Sequence, residues 1–174
     1  MRPTIDAAEV DDATLVVRTD YSDDEAWETL VLLLDSPQPP DHYEPVNYFV
    51  DDPAWHGATV DEVLAAAPDA GGVVFVADAD TMRHPYPLLA VNTVTRADCA
   101  DDDEYIYEME FGREFRLLPA GVRDVSANLF VGNMDFPEFA EMAQDDPSGR
   151  YQGLAASKRG REALLALMNA HPDE

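Results

Sequence analysis

Val73-Val74-Phe75-Val76-Ala77 is a run of strand length with no polar member. A strand with one wet face alternates between apolar and polar residues. An unbroken apolar run rich in β-branched residues instead marks a central strand covered on both sides. A chain that contains it must bring helices or other cover to both faces of one sheet. The expected fold class is therefore α/β or α+β.

The remaining segments supply the parts. Residues 14–18 read as a short buried strand, 43–50 as a strand interrupted early by Pro45, and 88–94 as another. Residues 105–109 and 115–118 read as a hairpin around Gly112. A three-residue loop would set Tyr107 and Met109 opposite Leu117 and Phe115, and Glu108 opposite Arg116. A two-residue loop would set Phe111 against Glu114 and Glu110 against Phe115. Three capping boxes announce helices, at Ser22 with Glu25, Thr59 with Glu62, and Asp135 with Glu138.

The first of these helices runs to about Leu34 and places Trp27, Leu30, Val31 and Leu34 on one face. Ser36-Pro37-Gln38-Pro39-Pro40 ends it. The second turns Val60, Val63, Leu64 and Ala67 inward, and the third Phe136, Phe139, Ala140 and Ala143. Residues 122–129 are helical in pattern. A last helix begins near Arg161, because Gly160 is a poor interior residue, with Leu164, Leu167, Met168 and His171 on one face. A length of 174 residues suits one domain with a real core. The expected organisation is a flexible acidic leader at 1–13, a compact domain at 14–154 and a C-terminal helix at 155–174. One mixed sheet of five or six strands carries the helices.

Charge constrains partners more than fold. Thirty-six acidic side chains face eleven basic ones, a formal net charge of −25, and Lys158 is the one lysine. Phosphate backbones and anionic membrane surfaces need Lys and Arg, so nucleic acid and membrane are excluded as expected partners. A basic protein or a divalent cation is what such a surface attracts. Asp outnumbers Glu by 23 to 13 and Arg outnumbers Lys by 10 to 1. The same bias is expected of a GC-rich genome and of adaptation to high salt. A single cysteine excludes an intrachain disulfide. Residues 1–12 carry four acids and no apolar run, unlike a signal peptide. No stretch approaches the ~20 apolar residues of a membrane span. The expected location is the cytoplasm.

Leu15-Val16-Val17-Arg18-Thr19-Asp20-Tyr21-Ser22-Asp23-Asp24, followed by Trp27, resembles the opening of an uncharacterised family of small acidic actinobacterial proteins, a domain of unknown function. Asn128-Leu129 and Asn133-Met134-Asp135-Phe136, then Phe139, resemble its closing segment. The likeness covers residues 14–154. It implies a compact α/β-type domain and no activity.

Several constellations are chemically suggestive. Asp78-Ala79-Asp80-Thr81 follows the buried strand, where paired carboxylates hold Mg²⁺ or Mn²⁺ in several enzyme folds. It resembles the Asp-x-Asp of nucleotide-sugar glycosyltransferases. It also resembles the first motif of haloacid-dehalogenase phosphatases, with Asp78 as nucleophile and Asp80 as acid. Against that, the phosphatase motif stands near the N-terminus, its threonine sits one position later than Thr81, and its lysine has only the distant Lys158 as candidate. A strand-end turn with solvated side chains is the simpler account.

Asp101-Asp102-Asp103-Glu104 lacks the spacing and glycine of an EF-hand loop, so residues 98–104 read as a solvated acidic loop. Cys99 stands among carboxylates that disfavour its thiolate. His42, His56, His84 and His171 are scattered and give no zinc spacing. There is no nucleophile elbow and no Gly-rich phosphate loop. Arg18, Asp20, Asn128, Asn133 and Asp135 would form a polar pocket if their segments meet; the simpler account is an ion pair of Arg18 with Asp20 or Asp135. Lys158, Arg159 and Arg161 form a basic cluster near a helix start, where they oppose the helix dipole. They suit an acidic surface of this same protein, in cis or in a homodimer through the C-terminal helix.

Three functions fit. The first is a non-enzymatic acidic binding protein for a basic protein partner, in the manner of an immunity protein or inhibitor. Asp101, Asp102, Asp103 and Glu104 would steer it, and Tyr21 and Tyr105 would anchor it. The second is a divalent-metal-dependent enzyme acting on a phosphorylated or nucleotide substrate through Asp78 and Asp80. The third is a salt-adapted protein whose charge has no partner role.

Overall fold

The computed structural model describes residues 2–37, 45–67, 71–156, 161–162, 165–166 and 169–170. Its centre is one mixed six-stranded sheet. The strands are β1 (Thr14–Arg18), β2 (Asn47–Val50), β3 (Val73–Ala77), β4 (Leu88–Asn92), β5 (Glu114–Leu117) and β6 (Arg150–Tyr151). Their spatial order is β2-β1-β3-β4-β5-β6. β1 pairs in parallel with β2 and β3; β4 runs antiparallel to β3 and β5; β6 is parallel to β5. The helices are α1 (Ala7–Val10), α2 (Asp24–Asp35), α3 (Val60–Ala66), α4 (Asp102–Glu108), α5 (Pro119–Val131) and α6 (Phe136–Asp145).

All five residues of β3 are buried, as the apolar run requires. The alternation of a strand splits them between two cores. Val73, Phe75 and Ala77 join Val16, Leu88, Ala90, Phe115 and Leu117 on one face. There α2, α5 and α6 cover them with Trp27, Leu30, Val122, Val125, Phe136 and Phe139. Val74 and Val76 join Leu15, Val17, Leu89 and Val91 on the other face, covered by Trp55 and by Val63 of α3. The chain goes from β1 outward to β2 through α2, then back past β1 to β3 through α3. Right-handed crossovers in opposite directions put their helices on opposite faces, which is where α2 and α3 lie.

Residues 2–13, expected to be a flexible leader, are docked on the second face. Ile5 and Val10 are buried there, and the Arg2 guanidinium donates to the carbonyls of Ala54 and His56 at 2.6 and 3.0 Å. The hydrophobic pair Ile5 and Val10 explains why an acidic segment packs.

Other boundaries shift for identifiable reasons. The cap of α2 is Asp23, whose carboxylate accepts from the Ala26 N–H at 2.9 Å. Ser22 instead donates to Asp20, so the expected capping box at Ser22 does not form. A simple cap one residue later takes its place, with Ala26 at the position a box would give to Glu or Gln. The boxes at Thr59 and Asp135 are present. β2 begins at Asn47, and the start of its expected range falls outside the described residues. β4 ends at Asn92, whose side-chain oxygen turns back to the Val94 N–H at 2.9 Å.

The expected hairpin at 105–118 does not form. Asp101 caps a helix by accepting from the Glu104 N–H at 2.9 Å, and three acids fill the first turn, where the helix dipole favours them. Residues 105–108 are therefore helical. Arg116 lies opposite Leu89, not Glu108, and Glu108 accepts from the Asn92 amide at 3.0 Å. The expected face of Leu164, Leu167, Met168 and His171 lies outside the described residues, as do Lys158 and Arg159. Among the described residues, no helix is long and apolar enough to cross a membrane.

Candidate functional site

The sheet has a switch point. The chain leaves β1 toward one edge and β3 toward the other, and the C-terminal ends of these neighbouring strands lie side by side. Arg18 is in register with Ala77, and the Thr19 N–H donates to the Ala77 carbonyl at 2.8 Å. Two expected sites, Arg18-Thr19-Asp20 and Asp78-Ala79-Asp80, thereby meet at one edge of the sheet.

Arg18 is 3% exposed. A buried guanidinium needs charge partners and filled donors. It reaches Asp24 at 2.6 Å and Asp51 at 3.2 Å, and its Nε donates to the Asp20 carbonyl at 2.9 Å. Its carbon lies 4.2 Å from the Tyr21 ring centre and 5.2 Å from that of Trp27. The Trp27 indole N–H donates to the second Asp51 oxygen at 2.9 Å. The cation is thus stacked and forked into α2 and the end of β2. Asp20 takes no part through its side chain; it accepts from Ser22, which holds its carboxyl below the usual range.

Asn128, Asn133 and Asp135 do not join Arg18. Thr14, at the far end of β1, meets Ser126 of α5 at 3.0 Å, and four steps along the strand put Thr14 about 13 Å from Arg18. Asn128 and Asn133 bond each other at 2.8 Å beyond Ser126. Asp135 caps α6. The expected polar pocket is therefore dispersed: Arg18, the Asn128–Asn133 pair and the Asp135 cap belong to three separate local structures. Arg18 pairs with neither acid named for it, because Asp24 and Asp51 occupy its two arms.

Asp78 is also engaged. Arg116 on β5 grips it with both arms, at 2.8 and 2.5 Å, and reaches Asp80 at 3.4 Å. The backbone N–H groups of Asp80 and Thr81 donate to the same Asp78 oxygen at 3.1 and 3.4 Å. Burial pushes the Asp78 carboxyl up, but the Arg116 guanidinium and the Thr81 donors outweigh it and hold it below the usual range. A divalent cation at Asp78 and Asp80 would have to displace a bidentate arginine. Among the described residues, no group of three His, Cys, Asp or Glu is arranged to hold a metal.

The acidic segment is more than a loop. Asp98 bonds the Thr95 hydroxyl and N–H, each at 2.7 Å. Asp102 pairs with Arg96 at 2.5 Å, and Glu104 accepts from the Ala100 N–H at 2.5 Å. Asp103 stands exposed. α4 buries none of its seven residues. Ile106 is 64% and Tyr107 is 40% exposed, while Tyr105 is half-buried. Tyr21 is not an outward anchor. Its hydroxyl is buried without a hydrogen-bond partner among the described residues, and burial, then Asp51, push its pKa up to about 12. Cys99 is half-buried, and burial followed by Glu104 and Glu108 raises its thiol.

Sequence reasoning missed Arg116 and Asp51 because each acts across the fold, over 38 and 33 positions. It passed over Asp24, six positions from Arg18, in favour of the nearer Asp20. It also missed a cavity of about 730 Å³ between α2 and α5, lined by both polar and apolar side chains. Leu33, Val46, Phe75, Val122 and Phe130 are among its lining.

Residues 13–154 match the family described as "Domain of unknown function (DUF6924)", and the chain belongs to it. Neither a curated protein nor a solved structure matches the chain.

Proposed function

We propose that this member of the DUF6924 family is a non-enzymatic acidic binding module, and that its partner is a protein with a basic surface engaged through α4. The observation that carries this reading is a helix that buries none of its residues yet exposes Ile106 and Tyr107. Helices in globular proteins are held by burying an apolar face. α4 is held instead by its Asp101 cap, by Glu108 on Asn92, and by the Tyr107 hydroxyl approaching Asp135 at 3.4 Å.

Its apolar side chains stand among Asp102, Asp103 and Glu104. An aliphatic and an aromatic anchor inside a charged rim is the composition of an interface hot spot. The net charge of −25 steers a cationic surface toward it and repels anionic competitors. Leu32, Val46, Phe130 and Val131 are exposed as well; what supports α4 over them is that Ile106 and Tyr107 stand among carboxylates suited to a basic partner.

The test is a capture experiment from the native host lysate with three baits: the full chain, its Ile106→Ser/Tyr107→Ser variant, and an unrelated protein of equal negative charge. The expected result is one basic protein held by the first bait alone and released between low and moderate salt. If all three baits hold the same proteins, the charge is generic and the reading fails.

A further inference from the structure

Three acids to every base should leave no arginine without a carboxylate. Arg2, Arg18, Arg96, Arg113 and Arg116 obey this, each with an acid within 4 Å. Arg83, Arg150 and Arg161 show none among the described residues, and Arg161 donates instead to the Ala156 carbonyl, which leaves Arg83 and Arg150. Neither has an ion pair or a side-chain hydrogen bond among the described residues, and both line the same cavity, of about 290 Å³.

That cavity is framed by Asp80, Arg83, His84, Pro87, Arg116 and Arg150. Three segments far apart in sequence build it. Arg83 and His84 come from the connection between β3 and β4. Arg116 is on β5, and Arg150 is its register partner on β6, so the two side chains leave the sheet on the same face. Arg116 is already committed to Asp78 and Asp80, which fixes its position and more than cancels its charge, since two carboxylates face one guanidinium. What remains is a pair of uncommitted guanidinium groups in a concave site at the C-terminal edge of the sheet. Tyr86, beside it, has a φ of +62°, a left-handed conformation that a bulky side chain adopts only when its surroundings impose it.

We propose that this cavity binds a small dianion of the phosphate-monoester class, held by the free guanidinium groups of Arg83 and Arg150 with Arg116 positioned beside them. Guanidinium forks match phosphoryl oxygens in pairs, and two uncommitted positive charges match one dianion. The size is at the low end for ligand pockets, which selects a small molecule over a dinucleotide. The cavity's own carboxylate, Asp80, is paired with Arg116 at 3.4 Å, and acids more than about 8 Å away are largely screened at physiological ionic strength. The site is independent of α4.

The test is isothermal titration calorimetry of the full chain with inorganic phosphate and with phenyl phosphate, and with malonate as the dicarboxylate comparator. Binding of both phosphates is expected to saturate and to weaken about tenfold, a loss of about 1.4 kcal/mol, in Arg83→Gln and in Arg150→Gln. Both variants should retain the parent's circular dichroism. Arg96→Gln, which removes an arginine outside the cavity, should bind as the parent does. The proposal is overturned if phosphate gives no saturable heat at millimolar concentration. It is also overturned if both cavity variants bind unchanged, or if malonate binds and the phosphates do not.

Discussion

Arg18 stacks beneath Tyr21, its guanidinium carbon 4.2 Å from the ring centre, and the tyrosine's own hydroxyl is buried without meeting any group in hydrogen-bond geometry among the described residues. The Asp52 backbone leans toward that hydroxyl but does not satisfy it. What the ring contributes here is its face, not its polar end. Replacing a buried unsatisfied hydroxyl by hydrogen removes a desolvation cost of about 1 kcal/mol or more. Tyr21→Phe should leave stability unchanged or raise it by up to about 1 kcal/mol. Tyr21→Ala should lower it by about 2 kcal/mol, through the lost stack and packing. Urea midpoints decide; a loss of a full kcal/mol in the Phe variant would mean that the hydroxyl is bonded after all.

The Asp78–Arg116 pair makes stability depend on acid. The Asp78 carboxyl sits below its usual value in the fold, so the folded state favours the ionised form. Its contribution is complete above the unfolded value of about 3.9 and is lost as pH falls through the lower folded value. Asp78→Asn should cost about 1–3 kcal/mol near neutrality, since it leaves a half-buried guanidinium with only Asp80. The gap between parent and variant should narrow below about pH 4. A gap that stays constant to about pH 3 would remove the ionised pair as its cause.

Much of this fold is local in origin and was legible for that reason. The apolar run at 73–77 demands two covered faces, and the Thr59 and Asp135 caps each sit immediately before the helix they start. Where two local signals compete, the sequence is ambiguous. The alternation of Tyr105, Tyr107 and Met109 suits a strand, but the Asp101 cap and the acids behind it win, because a strand there would leave those acids without the N–H groups they bond. β6 is two residues long and has no pattern to detect. The sites are hardest to read because their partners are distant. Arg18 finds Asp51 across 33 positions and Asp78 finds Arg116 across 38, and no spacing rule links them. The edge that gathers them follows from strand order, which emerges only when the sheet assembles.

The cap of α2 offers a direct contrast between neighbours. Asp23 accepts from the Ala26 N–H, whereas Ser22 bonds only Asp20 in the preceding turn. Loss of an N-cap acceptor costs about 1 kcal/mol. Asp23→Ala should therefore lower stability by about that amount, and Ser22→Ala by a few tenths at most, since exposed hydroxyl contacts compete with water. Reversal of that order in thermal or urea unfolding would return the cap to Ser22.

Gly121 looks replaceable, because it lies inside a helix where Ala is better by about 1 kcal/mol and its backbone is helical. The packing says otherwise. A Cβ there would sit 2.7 Å from Cδ1 and 2.9 Å from Cε1 of Tyr151. The ring cannot retreat. It is 1% exposed, stands edge-on to Phe115 and Phe139 at 6.5 and 5.3 Å between centres, and its hydroxyl bonds Asp124 at 3.2 Å. Overpacking of this kind costs about 1–3 kcal/mol, so Gly121→Ala should destabilise despite the better helix propensity. The cause is separable. In a Tyr151→Leu background the steric term falls away, and the same substitution should become neutral or favourable. Equal losses in both backgrounds, read as urea midpoints in a double-mutant cycle, would exclude the Tyr151 contact as the reason for the glycine.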